Sequence, residues 1–142
     1  MLALGFVLCA GGAGCKGRKT KYPEQVAKNA LVTVDISLVG SSDGRFYTYR
    51  ADSGKNVEFF IYRESSGVPR AVLDACRQCY RWKKGYLLEG KQVVCVKCDM
   101  RFDLDGLAQG TGSCVPIRVR SEERQGALVI PVSELEAASR FF

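Results

Sequence analysis

From residue 31 onward the chain alternates between apolar and polar positions. Val32, Val34, Ile36 and Leu38 fall on one side and Thr33, Asp35 and Ser37 on the other, the period of a strand with one buried face. A turn-forming run at residues 41–44 ends it. Residues 45–51 then place Phe46, Thr48 and Arg50 on one side and Tyr47 and Tyr49 on the other, and after a second turn at 52–55 Val57, Phe59 and Ile61 resume the alternation. A third turn at 65–67 precedes an apolar stretch at 70–74. Further short strands are predicted at 92–96, 100–104, 115–120 and 127–132, with Pro131 marking an edge or a strand end. Ser133 followed by Glu136 reads as a capping box, which predicts one short helix over residues 134–142. The fold class that follows is mostly β, a single compact domain with a short C-terminal helix.

The first thirty residues lack this pattern. Residues 1–14 carry no charged side chain and reach only about 21 Å as a helix, short of a bilayer core of roughly 30 Å. They read as an export signal, with Gly12, Ala13 and Gly14 before Cys15 resembling a lipoprotein processing site, so that Cys15 is the lipidated residue and Cys9 is removed. The other reading is an apolar start that packs on the domain. Residues 15–30, beginning with a basic run from Lys16 to Lys21, form an anchor and linker, and residues 31–142 form the β-rich domain. The expected location is the periplasmic side of a bacterial cell envelope, held to the membrane by the lipid.

Composition narrows the chemistry. The 142 residues include seven cysteines and no histidine, which excludes Ser-His-Asp and Cys-His catalysis, imidazole bases and His-ligated metal centres in their standard forms. A metal here is held by thiolate or carboxylate. Cys76 and Cys79 form one C-x-x-C, Cys95 and Cys98 another fifteen residues later, and Cys114 follows after fifteen more. Each pair turns two thiolates toward one ion from a tight knuckle, and a hairpin-sized segment between the pairs completes a set of four. Lys83 to Tyr86 and Glu89 to Lys91 supply the turns of that hairpin. Three uses fit the spacing: a structural zinc site, an iron-sulfur cluster, or disulfide and dithiol chemistry. Cys114 stays open between a fifth metal ligand, a thiol beside the centre and a small buried hydrophobe.

The ordered set Asp74-Ala75-Cys76-Arg77-Gln78-Cys79-Tyr80, Gly85-Tyr86, Val93-Val94-Cys95, Cys98, Phe102 and Gly112 through Ile117 resembles the FtrD-like family of membrane-associated iron-sulfur proteins of bacterial iron uptake. The resemblance implies a cluster on Cys76, Cys79, Cys95 and Cys98, with electron transfer in an iron-transport or respiratory system, membrane-associated redox or iron-transport partners, and no bond-making catalysis. Around the last cysteine the family pattern resembles Gly-Gly-Cys-Asn-Pro, whereas this chain has Gly112-Ser113-Cys114-Val115-Pro116. A more distant similarity is to the Rieske arrangement of two ligand loops followed by a Phe-Asp-Leu strand, here Phe102 to Leu104. With cysteine at all four positions, two added negative charges lower the expected potential toward that of plant-type ferredoxins. A zinc-ribbon-containing domain that binds a protein of a membrane complex is the alternative.

Net charge is +6. Between Cys76 and Arg120 nine basic residues face four acidic ones, suited to offsetting thiolate repulsion or docking an acidic redox partner, and equally consistent with a solvated face. Tyr80, Trp82, Tyr86 and Phe102 lie among those charges, a combination that also stacks nucleic-acid bases. Export removes that target, so no nucleic-acid partner is expected.

Overall fold

A computed structural model describes residues 20–142. The expected signal and the lipidation site at Cys15 lie outside the described residues. Among the described residues eleven strands are present: β1 (Glu24–Gln25), β2 (Leu31–Asp35), β3 (Asp43–Arg50), β4 (Asn56–Arg63), β5 (Pro69–Cys76), β6 (Tyr86–Glu89), β7 (Gln92–Cys95), β8 (Arg101–Asp103), β9 (Pro116–Val119), β10 (Glu122–Arg124) and β11 (Ala127–Pro131). One helix, α1 (Val132–Ala138), and a 3-10 turn (Ser139–Phe141) close the chain. The mostly β class with a short C-terminal helix is borne out.

The strands make three sheets. The main sheet has the order β1-β3-β4-β5-β9, a second has β10-β11-β2, and a third is the meander β6-β7-β8. The main sheet lies between the other two, and its side-chain alternation sorts residues into two cores. Tyr47, Tyr49, Val57, Phe59, Ile61 and Leu73 pack with Val32 and Val34 of β2, Ile36 just after it, Leu128 and Ile130 of β11, and Leu135 of α1. On the opposite face Phe60, Tyr62 and Val72 pack with Tyr86, Val93, Cys95, Leu104 and Leu107. A buried side chain of this size contributes about 1.5–3 kcal/mol by leaving water, and β4 buries Val57, Phe59 and Ile61 on one side and Phe60 and Tyr62 on the other. Its pattern therefore reads as a continuous buried run, not as a half-exposed strand.

Three local expectations change. Leu38 lies past the end of β2 and is 65% exposed, while Val39 turns into the core in its place. The chain bends there because the Asp35 carboxylate accepts the Ser37 N–H at 2.8 Å and the Ile36 carbonyl accepts the Val39 N–H at 3.0 Å. The capping box does not form: α1 starts at Val132, directly after β11, and the preceding residue, Pro131, offers no side-chain cap. Glu136 instead accepts the Tyr49 hydroxyl at 2.7 Å and the Asp52 N–H at 3.1 Å, fastening α1 to the main sheet. Pro131 ends its strand but not at a sheet edge, since β11 is the central strand of its sheet. Within residues 20–30, β1 pairs in parallel with β3, Glu24 opposite Thr48.

Candidate metal centre

The five cysteines among the described residues come from three places that converge at one end of the main sheet. Cys76 is the last residue of β5, and Cys79 follows it at the start of a 3-10 turn (Tyr80–Trp82). Cys95 is the last residue of β7, and Cys98 sits in the knuckle before β8. Cys114 precedes β9, which pairs with β5 through Cys76 opposite Pro116. Each knuckle is held by its own backbone. The Cys79 N–H donates to Cys76 Sγ at 3.0 Å, and the Cys95 carbonyl accepts the Asp99 N–H at 2.9 Å. Between knuckles, the Val96 N–H donates to the Gly85 carbonyl at 3.0 Å, and the Gln78 N–H donates to the Ser113 carbonyl at 3.2 Å.

The sulfurs form two overlapping trios. Cys76, Cys79 and Cys95 lie with their sulfurs all within 4.8 Å of one another, and so do Cys79, Cys98 and Cys114, with Cys79 common to both. The first trio is buried. In the second, Cys98 is exposed, Cys114 is half-buried, and their sulfurs are 3.4 Å apart. All five are free thiols. Three of the four expected cysteines, Cys76, Cys79 and Cys95, thus form one set, while Cys98 shares a second with Cys79 and with Cys114, whose role the spacing left open. The signal available in the sequence was the equal fifteen-residue interval on either side of the second knuckle.

Burial and mutual proximity make most of these thiols hard to ionise. Burial, followed by the neighbouring thiols of Cys76 and Cys95, pushes the Cys79 thiol well above its ordinary value. Burial also raises Cys95, and it raises Cys114 to about 11 with help from Cys98. For Cys98 burial acts in the same direction but is outweighed by the Met100 N–H and the thiols of Cys114, Cys95 and Cys79, so its pKa lies below the usual thiol range. Sulfurs this close cannot all ionise without a positive centre among them. A cavity of about 510 Å³ reaches Cys76, Cys79 and Cys95 on the inner side. Donor set, spacing and space all fit a thiolate-bound metal centre.

A buried carboxylate supports the first knuckle. Asp74 accepts the Tyr86 N–H at 2.6 Å, the Tyr22 hydroxyl at 3.2 Å and the Lys21 ammonium at 3.3 Å. Its burial, only partly offset by Lys21 and the Tyr86 N–H, raises its pKa to about 6. Gly85 is required beside it. The backbone there has φ +66°, and a Cβ would stand 2.5 Å from both Asp74 carboxylate oxygens. Tyr86, in turn, donates its hydroxyl to the Cys114 carbonyl at 2.5 Å. Asp74, Gly85 and Tyr86 so tie β5, β6 and the Cys114 loop into one frame; of these links the sequence showed only the residues.

Residues 39–142 match the family described as "Membrane iron-sulfur containing protein FtrD-like". No curated protein is significantly similar to the chain. A quaternary ammonium Rieske monooxygenase, CntA, solved with an inhibitor, is a structural neighbour at 22% identity and a TM-score of 0.39, over 63% of this chain. The alignment spans 27% of that enzyme, so the chain corresponds to about a quarter of its length. Among the described residues no helix is long and apolar enough to cross a membrane. With its family match covering most of the chain and including all five clustered cysteines, the chain belongs to the FtrD-like family of membrane iron-sulfur proteins.

Proposed function

We propose that the chain is an electron carrier that holds an iron-sulfur cluster on Cys76, Cys79, Cys95 and Cys98 and serves a bacterial iron-transport or respiratory membrane system, anchored on the periplasmic side through Cys15. The observation that carries this reading is the gathering of five free thiols, with no histidine in the chain, inside the region matched by an iron-sulfur family. When bound, the cluster supplies one-electron chemistry. The protein's own part is to hold and tune it. The Cys79 N–H pointed at Cys76 Sγ stabilises negative charge on that sulfur, a contact of the kind that raises a cluster's potential. Phe60, Tyr86, Val93 and Leu104 pack in one apolar cluster with Cys76, Cys79 and Cys95 and lower the polarity around them. Exposure of Cys98 opens one corner to solvent, which is where an electron enters or leaves by the shortest path. The chain makes and breaks no bonds in a substrate.

Purification without oxygen, with iron, acid-labile sulfide and zinc quantified per chain, tests the reading. Stoichiometric iron and sulfide with a coloured product are expected. Colourless protein with one zinc per chain would overturn it in favour of a structural zinc domain that binds a protein partner.

A further inference from the structure

The two knuckles present the same end of the molecule to solvent, and that end has a composition unlike the rest. Trp82, Val96 and Met100 are 51%, 44% and 49% exposed, and each immediately follows, or lies within three residues of, a cluster cysteine. Lys97 Nζ sits 4.9 Å from the centre of the Trp82 ring, which joins the tip of the second knuckle to the turn after the first. Cys98, the exposed cluster thiol, lies in that same second knuckle. Arg77, Arg81, Lys83, Lys84 and Lys97, all exposed, belong to the same two knuckles and the turn after the first. Among the described residues none of these five is in an ion pair; the acidic Asp99 nearby is taken by Arg101. An apolar centre with an unneutralised basic rim is the anatomy of a transient interface, in which charge steers the encounter and the apolar contact holds it.

We infer that this end is a docking face for an acidic electron-carrier protein, which brings its redox group against the Cys98 corner. The inference deepens the electron-transfer reading by naming the partner's chemistry. Charge complementarity selects a protein with a carboxylate-rich rim. An anionic bilayer would also attract the rim, but it would bury the Cys98 corner in lipid, away from any electron acceptor.

The test uses flavodoxin as an acidic carrier, cytochrome c as a basic one, and phosphatidylglycerol vesicles as the membrane arm. Binding of the full chain as purified is followed by calorimetry, and Trp82, the single tryptophan, reports on the face by its emission. Flavodoxin is expected to bind at low salt, to weaken about tenfold or more at high salt, and to weaken about tenfold or more in Lys83→Glu/Lys84→Glu. The control Lys28→Glu/Lys91→Glu changes the same charge elsewhere and is expected to bind like the parent. No flavodoxin binding, equal weakening in both double variants, tighter binding of cytochrome c, or a Trp82 blue shift produced by the vesicles alone would each overturn the inference. A protein that carries zinc yet keeps the charge-dependent binding overturns the electron-transfer reading and leaves the docking face standing. Loaded iron-sulfur protein that fails to bind does the reverse.

Discussion

Gly85→Ala places a methyl group where the structure has none to spare. The new Cβ would meet both Asp74 carboxylate oxygens at 2.5 Å and the carboxyl carbon at 2.6 Å, on a backbone already at φ +66°. Holding an L-residue in that region costs about 1–2 kcal/mol. Asp74 must also move, and it is fixed by the Tyr86 N–H at 2.6 Å in a buried setting. Leaving that N–H without its acceptor costs about 1–3 kcal/mol, so the variant is expected to lose about 2–5 kcal/mol in all. Urea unfolding of metal-loaded protein measures this. A cycle with Asp74→Ala separates the contributions, because without the carboxylate the methyl group meets nothing rigid and only the backbone cost of about 1–2 kcal/mol remains. A Gly85→Ala cost that is unchanged in the Asp74→Ala background would refute the proposed clash. So would a single-variant cost below about 1 kcal/mol, since the backbone alone should exceed it.

Cys76→Ser is expected to lose the metal, and Cys114→Ser to keep it, as read by metal content per chain; equal loss would make Cys114 a ligand. Tyr86→Phe removes the hydroxyl that donates to the Cys114 carbonyl, and a loss of about 1–3 kcal/mol in urea is expected, with little loss if water replaces it. Asp74 has a folded pKa raised to about 6 by burial, so between about pH 4 and pH 6 the unfolded chain releases this proton first. Its contribution is therefore fully favourable at the acid end of that window and declines as pH rises through it. Relative to the parent, Asp74→Asn should gain stability progressively from about pH 4 to pH 6 and then level off; a pH-independent difference would show that burial does not perturb this carboxyl.

The central strands of the main sheet were legible because β3 and β4 alternate, β5 is an apolar run, and clear turns bound all three. Their environment was harder to read. Alternation such as Phe59, Phe60, Ile61 and Tyr62 shows that side chains point in opposite directions, but whether the second direction meets water or another sheet depends on the distant β6-β7-β8 meander. Local rules failed where a tertiary partner outbid them. Ser133 and Glu136 have the right spacing for a capping box, yet Glu136 is taken by Tyr49 and Asp52, and the Val132 N–H goes to the Ala30 carbonyl at 2.9 Å. The two-residue β1 is too short to leave a periodic trace. At the metal centre the paired knuckles were plain from spacing alone. Cys114 was not, because its proximity to Cys98 comes from the pairing of β9 with β5, a contact between residues some forty positions apart.

The central claim is that these cysteines hold a redox-active iron-sulfur cluster. A reductive titration of protein purified without oxygen, followed by visible absorption and low-temperature electron paramagnetic resonance, tests it most directly. The account predicts reversible bleaching by about one electron per cluster, with a paramagnetic signal in one of the two states and both features absent in Cys76→Ser. A featureless visible spectrum, no signal in either state and one zinc per chain would contradict it.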